Sequence, residues 1–371
     1  MFRSGRRLLA LAAQAALALT TTAAALAQAQ APGPAAAGSA AAASGTAYKI
    51  VTASERGTYI QIGRDLGKFV APQAQIELAA LPSAGSAENI HRLRFEEGVK
   101  LALVQSDVYQ AFINQGKAGD ATAASIIKPL RVVLPLYNEE IYFIVREDSP
   151  LNYVHEIKDA KINVGELGSG TALTTTTLYR LMYNTPIPQS NASFLSNEDA
   201  LVKLVTDKSV DAVAVIAGQP AKLLVDIKPE ARKLIKLLKF DPSPPASQAA
   251  LKTYVPATVR ATSYPNLLTE DLPALAVKAY LVTYDFSLKA TESYLRRFAR
   301  SLCQNFPTLQ EKGHPKWREV DLALPDLGRG WLYYPASTAE LRTCIAGTAK
   351  PKPPAAKACS QHEQLLGLCK V

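Results

Sequence analysis

Residues 160–182 read AKINVGELGSGTALTTTTLYRLM, and this stretch decides the fold class. A short apolar run ends in a turn of small polar residues, and the apolar spacing of a helix follows the turn. The same order of strand, turn and helix recurs at 48–70, 76–95, 99–113 and 210–227. Alternating strands and helices predict an α/β fold with a mainly parallel sheet that carries helices on both faces.

This plan also predicts where a ligand binds. In open α/β sheets, ligands bind beyond the carboxyl ends of the strands, and each small polar turn lies at such an end. Several helix N-termini therefore converge on one crevice, where they offer free N–H groups and a partial positive charge. An anionic group on a small molecule is the ligand that such a crevice favours.

The turn at 168–171 fits no catalytic motif. A phosphate loop needs a lysine after its last glycine, a dinucleotide fingerprint needs a third glycine, and a nucleophile elbow needs the order Gly-x-Ser-x-Gly. The four histidines and the carboxylates show no spacing that indicates a catalytic base, an acid/base pair or a metal site. Helix capping by Ser169 and contact with a ligand both stay open. We therefore predict a protein that is not an enzyme, with no cofactor and no metal.

The N-terminus has the pattern of a secretory signal peptide. Arg3, Arg6 and Arg7 precede an Ala/Leu-rich run that ends in Ala-Leu-Ala at 25–27, so cleavage is expected after residue 27. Residues 28–47, rich in Ala, Gly, Pro and Ser, predict a flexible leader. No later apolar run is long enough to span a bilayer, and we expect the mature chain in the periplasm.

The charge of the chain argues against a nucleic-acid partner, and its cysteines indicate disulfides. The formal charge of +9 falls to +6 without the three N-terminal arginines, and no basic stripe with interleaved aromatic residues indicates a nucleic-acid partner. Cys303, Cys344, Cys359 and Cys369 allow three disulfide pairings in an exported chain. We favour Cys303 with Cys344, and Cys359 with Cys369.

The ordered set of motifs resembles the TAXI-type solute-binding proteins of TRAP transporters, over roughly residues 48–287. The motifs that carry the resemblance are VTASERGTYIQIGRDLGKF (51–69), PSAGSAENIHRL (82–93), LALVQSDVYQAF (101–112), INVGELGSGT (162–171), VDAVAVIAGQP (210–220) and YVPATVRATSYPN (254–266). The chain departs from the family pattern at 54–56, where Ser-Glu-Arg replaces a glycine-rich turn, at Ala172, where arginine is usual, and at 328–338, where a His-Pro-Gly-Ala motif is missing.

The resemblance implies a type II, two-lobe periplasmic-binding-protein fold with a ligand cleft between lobes joined by two crossover strands. Lobe one is expected at 48–140 and 256–345, lobe two at 141–255, and a cysteine-bearing tail at 346–371. The crossings are expected near 137–142 and 254–264. Such a monomeric receptor delivers an amino acid or organic anion, glutamate-like or dicarboxylate-like, to the membrane permease subunits of a TRAP transporter.

Ten residues at the predicted turns are expected to bind the ligand. Lobe one contributes Arg56, Thr58, Tyr59, Ser83, Ser86 and Gln105, and lobe two contributes Ser169, Gly170, Thr171 and Gln219. Arg56 is expected to pair with a ligand carboxylate or with Glu55 or Glu166. Two alternatives stay open: a binding protein that serves an ABC importer or a sensor kinase, and an exported hydrolase that uses Ser169 or Ser106.

Overall fold

The computed structural model describes residues 45–117, 119–228, 230, 233–327 and 330–348. The predicted signal peptide lies outside these residues, as does most of the predicted leader and tail. The first strand begins at Thr46, so the last residues of the predicted leader belong to the folded body. Over the described ranges, no helix combines the length and the apolar character that a membrane crossing requires.

Strands and helices alternate along most of the chain, as predicted. The strands are β1 (Thr46–Val51), β2 (Ile76–Leu81), β3 (Val99–Gln105), β4 (Leu130–Arg146), β5 (Ile162–Asn163), β6 (Ala192–Ser193), β7 (Ala212–Ala217), β8 (Ile235–Leu237), β9 (Val255–Val259) and β10 (Leu272–Tyr284). The α-helices are α1 (Thr58–Asp65), α2 (Ser86–Phe95), α3 (Val108–Lys117), α4 (Ala121–Ile127), α5 (Gly170–Tyr183), α6 (Asn197–Val205), α7 (Lys222–Val225), α8 (Pro245–Ala250), α9 (Lys289–Gln304), α10 (Phe306–Lys312) and α11 (Pro335–Thr348). A π-helical turn, Leu66–Val70, extends α1, and 3-10 turns occupy Pro72–Ala74, Val154–Asp159, Gln189–Asn191, Ala261–Ser263 and Pro315–Glu319.

The strands form one large sheet in the order β2-β1-β3-β10-β4-β7-β5-β6, with β8 paired to β4 and β9 to β10. The predicted α/β class is confirmed. The outer strands pair in parallel, β1 with β2 and β3 and β5 with β6 and β7. The central strand β10 is antiparallel to β3 and β4, and β4 is antiparallel to β7. The sheet is therefore mixed in direction, and the parallel part lies on either side of two antiparallel strands.

Two strands connect the two halves of the sheet. The first half, as we use the term, contains β1–β3, and the second half contains β5–β7; β4 and β10 run through both and pair with each other from Leu275 opposite Ile141 to Tyr284 opposite Leu130. The chain returns to the first half within β10, later than the 254–264 segment favoured by the sequence, because β9 pairs only with the N-terminal part of β10. The predicted lobe limits themselves stay predictions.

Each half buries an apolar cluster on either face of the sheet. In the first half, α1, α9 and α10 cover one face, and α2, α3 and α4 cover the other. In the second half, α5 and α8 cover one face, and α6 and α7 cover the other. The helices therefore cover both faces of the sheet in each half.

The region from 288 onward, which the family resemblance left unassigned, packs on the first half. Helix α9 contributes Phe298 and Leu302 to the cluster beside α1, and α11 contributes Leu341. A disulfide joins Cys303 of α9 to Cys344 of α11, the pairing that the sequence analysis favoured. Cys359 and Cys369 lie outside the described residues.

A buried ion pair lies where β4 passes from one half to the other. The Lys316 ammonium, which is fully buried, is 3.3 Å from Glu140 Oε1 and 2.7 Å from Glu319 Oε2, and it donates to the carbonyl of Asn138 at 3.1 Å. Burial raises the pKa of Glu140, and the charge of Lys316 opposes that shift. The 3-10 turn at Pro315–Glu319 is thereby attached to the crossing.

We predict that Lys316→Met lowers the free energy of unfolding by about 3–5 kcal/mol, because it leaves the carboxylate of Glu140 buried without a cation. Lys312→Met, four residues earlier and exposed, removes the same charge from the surface and should change the stability by less than about 0.5 kcal/mol. Urea unfolding of both variants checks this. Equal stabilities for the two variants would show that the buried pair does not support the crossing.

Candidate functional site

A cavity of about 660 Å³ lies between the two halves, at the carboxyl ends of the strands. Its volume is within the range of about 300–1,000 Å³ found for small-molecule sites. The turns that follow β1, β2 and β5 reach it, together with the last residue of β3, α6, α7 and the end of β7. The position agrees with the rule that α/β sheets bind ligands beyond their strand ends.

The first half forms one wall of the cavity, and the second half forms the other. The first-half wall consists of Ala53, Ser54, Glu55, Arg56, Gly57, Thr58, Tyr59, Ala84, Gly85, Ser86, Gln105 and Glu139. The second-half wall consists of Gly165, Glu166, Ser169, Gly170, Thr171, Asn197, Glu198, Leu201, Val215, Ile216, Ala217, Ala221, Lys222, Leu223, Asp226 and Ile227. The first wall is mostly polar, whereas α6, β7 and α7 give the second wall an apolar part.

Two helices of the first half begin at this cavity with glycine at the N-cap position. Gly57 precedes α1 and Gly85 precedes α2, and neither helix has a side chain that caps its first-turn amides. The amide of Glu88 in α2 donates across to the carbonyl of Gly168 at 3.3 Å. The first turn of α1 is therefore the wall's best source of N–H groups for an anionic part of a ligand.

The two halves touch beside the cavity. A Cβ built on Gly85, whose φ is +131°, would lie 2.9 Å from the amide nitrogen of Gly170, and a Cβ on Gly170 would collide with the carboxamide oxygen of Gln105. Glycine is required at Gly85, because its φ is positive and the backbone of the other half lies against it, whereas at Gly170 the side chains of Gln105 and Ser86 fill the space. Ser169 caps α5, since its Oγ accepts a hydrogen bond from the amide of Ala172 at 3.0 Å.

A second contact between the halves centres on a buried carboxylate. Asp107 follows β3, and its Oδ2 accepts hydrogen bonds from Thr174 Oγ1 of α5 at 2.7 Å and from Tyr254 Oη at 2.9 Å. Burial raises the pKa of Asp107 to about 6, although both hydrogen bonds oppose the shift. Its Oδ1 has no hydrogen-bond partner in the described part of the chain. Asp107 therefore links β3 of the first half to α5 of the second.

Eight of the ten predicted ligand residues line the cavity. They are Arg56, Thr58, Tyr59, Ser86, Gln105, Ser169, Gly170 and Thr171. Ser83 does not: its Oγ lies 2.6 Å from Asn89 Oδ1 and accepts from the amide of Gly85, so it shapes the turn before α2. Gln219 lies behind the wall, where its amide and Nε2 donate to Glu140 at 2.9 Å each and its Oε1 accepts from the amide of Arg260.

Arg56 pairs with an acid other than those expected, and the run of threonines at 174–177 lies outside the cavity. The Arg56 guanidinium lies 3.5 Å from Glu198 of the opposite wall, whereas Glu55 pairs with Arg64. None of the threonines at 174–177 lines the cavity. Thr174 contacts Asp107, and Thr176 bonds back to the carbonyl of Ala172 within the helix. The run therefore serves the contact between the halves and the helix itself.

Glu139 is a buried wall residue that was not among the ten predicted ligand residues. It is 4 % exposed, and its Oε2 accepts a hydrogen bond from Tyr59 Oη at 2.8 Å. Burial raises its pKa to about 8, against the opposing effect of the hydrogen bonds from Tyr59 and Gln105. The sequence did hold a signal: Glu139 and Glu140 are adjacent acids inside an otherwise apolar strand, where a charge is costly unless it has a function or a partner.

Acids outnumber bases on the cavity walls. The acidic residues are Glu55, Glu139, Glu166, Glu198 and Asp226, and the basic residues are Arg56 and Lys222. Both bases are engaged, because Arg56 pairs with Glu198 and Lys222 lies 2.8 Å from Asp226. The described cavity walls therefore offer no basic side chain that lacks an acidic partner.

The chain belongs to the NMT1-like family, whose model matches residues 50–326. That range includes both walls of the cavity, β4 and β10. The narrower assignment to TAXI-type proteins stays a prediction.

Three solved structures are similar to this chain. The periplasmic sulfonate-binding protein SsuA of a putative sulfonate ABC transporter from Methylobacillus flagellatus is 12 % identical, with a TM-score of 0.42 over 82 % of this chain and 86 % of that one. PhnD1 from Prochlorococcus marinus, in complex with methylphosphonate, is 12 % identical, with a TM-score of 0.44 over 70 % and 84 %. The periplasmic binding protein BugD is 13 % identical, with a TM-score of 0.45 over 81 % and 95 %.

Neighbouring threonines give a matched test of the Asp107 contact. Thr174→Val removes a hydroxyl that donates to a buried carboxylate, so we predict a loss of about 1–3 kcal/mol in the free energy of unfolding. Thr175→Val removes a buried hydroxyl that has no hydrogen-bond partner among the described residues, and it should be neutral or stabilising. Urea unfolding at pH 7 measures both. A Thr175→Val variant that is the less stable of the two would contradict the assignment.

Glu139 makes stability depend on pH. Because its pKa is about 8 in the folded chain and near 4.5 ordinarily, the folded chain holds a proton that the unfolded chain has lost. The stabilisation is full below about pH 4.5 and is lost as the pH rises through about 8. Between pH 6.5 and 8, above the pKa of Asp107, the wild type should lose stability more steeply than Glu139→Gln, by up to about 1.4 kcal/mol per pH unit.

Thermal and urea unfolding of the chain without added solute, at half-unit steps from pH 6 to 9, gives the two slopes. Glu97→Gln, an exposed acid at the end of α2, is the control and should keep the wild-type slope. Parallel pH profiles for the wild type and Glu139→Gln would mean that Glu139 is ionised in the folded chain.

Proposed function

We propose that this protein is an extracytoplasmic receptor that encloses a small organic acid or amino acid between its two halves. The observation that carries the proposal is the cavity of about 660 Å³, which both halves line with strand-end turns and helix N-termini. A ligand held there contacts both halves at once and so favours their closed arrangement over an open one. Binding is proposed in the periplasm, as the N-terminal signal pattern predicts.

The wall residues support binding of a solute without catalysis. Ser169 Oγ, the candidate nucleophile of the alternative hydrolase, is engaged in capping α5. A serine nucleophile needs a base within hydrogen-bond reach, and none of the histidines within the described residues lines the cavity. The walls instead provide a carboxyl, backbone amides and an apolar surface, a combination that orients a small solute.

We further propose that the receptor delivers its solute to a TRAP-type permease. The ordered motifs of the sequence support this assignment, and five of them, at 51–69, 82–93, 101–112, 162–171 and 210–220, contribute residues to the cavity walls. The competing importer of the ABC type consumes ATP, whereas a TRAP permease uses an ion gradient. Solute uptake by permease-containing liposomes that depends on this chain and on a sodium gradient, without ATP, would separate the two.

The receptor function is tested by the solute itself. The native chain is purified without added ligand and denatured, and the supernatant is analysed by mass spectrometry. We expect one small acid or amino acid per chain, which raises the melting temperature when it is returned to the stripped protein, since a ligand of the folded state alone stabilises it. The solute should be recovered unchanged after long incubation.

Gly170→Leu provides the control for this experiment. A side chain at Gly170 collides with Gln105 and keeps the halves apart, so the variant should fold, as judged by circular dichroism, yet retain no solute. A solute converted into a product by the wild type would overturn the proposal in favour of an enzyme. A solute that Gly170→Leu retains fully would place it outside the cavity.

A further inference from the structure

Glu139 is a carboxyl group that the cavity wall buries without a cation. It lies on β4 at the crossing between the halves and is 4 % exposed. Among the described residues, no lysine, arginine or histidine forms an ion pair with it, because the nearby ammonium of Lys316 is held by Glu140, Glu319 and the carbonyl of Asn138. Burial of a carboxyl without a cation costs free energy, so a buried carboxyl in the cavity wall indicates a functional role.

The hydrogen bond from Tyr59 holds Glu139 in place but supplies no cation for its ionised form. Tyr59 Oη donates to Oε2 at 2.8 Å, and Tyr59 is itself a buried residue of the first turn of α1. A phenol holds a carboxyl in one orientation but brings no positive charge. The carboxyl therefore remains available to a positively charged or hydrogen-bond-donating group of a solute.

The other wall charges exclude one class of solute. Arg56 and Lys222 are the basic residues of the walls, and both pair with acids of the wall, Glu198 and Asp226. A dicarboxylate would bring two negative charges into a cavity whose acids already outnumber its bases. A solute with one carboxylate meets the first-turn amides of α1, while its other end faces an acid-rich wall.

We propose that Glu139 binds an ammonium group of the solute, which makes the solute a zwitterion with one carboxylate and one amine, an amino acid rather than a dicarboxylate. This inference rests on the proposed receptor function and names the solute class for the same cavity. The solute carboxylate lies at the N-terminus of α1, and the solute ammonium lies at Glu139. The apolar part of the second wall, at Leu201, Val215 and Ile216, accommodates the remainder of the solute.

The ammonium of the solute completes a buried ion pair with the carboxyl of Glu139. A carboxyl and an ammonium that meet in a closed cavity compensate each other's burial, whereas either one alone remains unpaired. A site built to bind a polar group discriminates strongly against an analogue that lacks the group. We therefore expect the compound without the amine to bind about 100-fold or more weakly than its amino counterpart.

Binding of an ammonium group at Glu139 should also release a proton from this carboxyl. The groups that face Glu139 are Tyr59, Gln105, Tyr137, Glu140 and Lys316, and among them only Lys316 carries positive charge. In the empty cavity at pH 7 the carboxyl retains a proton. The arriving ammonium favours the ionised carboxyl, so binding should release a proton, and calorimetry in two buffers with different ionisation enthalpies measures it.

The test uses matched pairs of compounds on the full-length mature chain. The pairs are L-alanine and propionate, L-leucine and 4-methylpentanoate, L-glutamate and glutarate, and 4-aminobutyrate and butyrate. Thermal shift identifies the pair that binds, and calorimetry gives both affinities for the wild type, for Glu139→Gln and for the exposed control Glu97→Gln. The solute recovered from the denatured protein enters the same assay.

The proposal is supported if an amino compound binds at least about 100-fold more tightly than the matched compound without the amine. Glu139→Gln should then bind it at least tenfold more weakly and release no proton, while Glu97→Gln matches the wild type. Equal affinities within a pair, an unaffected Glu139→Gln, or a recovered solute without an amine would overturn the inference and leave the receptor intact. No binding by any of the compounds, together with no recovered solute, would overturn the receptor and the inference together.

Discussion

The antiparallel pairing of β4 with β10 is the constraint on which the rest of the structure depends. These two strands belong to both halves, so the halves cannot separate without breaking the ladder of backbone hydrogen bonds that joins the two strands. They also set the distance between the turns of β1, β2 and β3 on one side and those of β5 and β7 on the other. A cavity at strand ends follows from this geometry, and rotation about the two crossings is the motion that it permits.

At the crossing, β4 carries two adjacent acids, Glu139 and Glu140, that have different partners. Glu140 is compensated by Lys316 and by hydrogen bonds from Gln219, so it belongs to the framework that fixes the crossing. Glu139, on the opposite side of the pleated strand, faces the cavity with a phenol as its partner. One strand therefore supplies both a structural ion pair and an unpaired acid for the ligand, and the period of two along the strand separates the two roles.

The sequence predicted the elements with strong local signals. Alternating apolar runs and helical spacing located β1, β2, β3, β7 and the helices that follow the first three. Eight of the ten ligand residues predicted from the sequence lie in the walls. It could not predict contacts that depend on tertiary approach, such as Thr174 with Asp107 or Arg56 with Glu198. It also missed Glu139, because a strand's pattern shows that a residue is inside but not whether it faces a partner or a cavity.

The most direct test of the account is the electron density of the protein crystallised with the solute that it retains. If the cavity is the binding site, density for one small molecule is expected between the two walls. One end of that molecule should lie within hydrogen-bond distance of the first-turn amides of α1 and the other within hydrogen-bond distance of Glu139. An empty cavity in a crystal that holds the solute elsewhere would contradict the account, because the enclosed space between the halves would then not be the binding site.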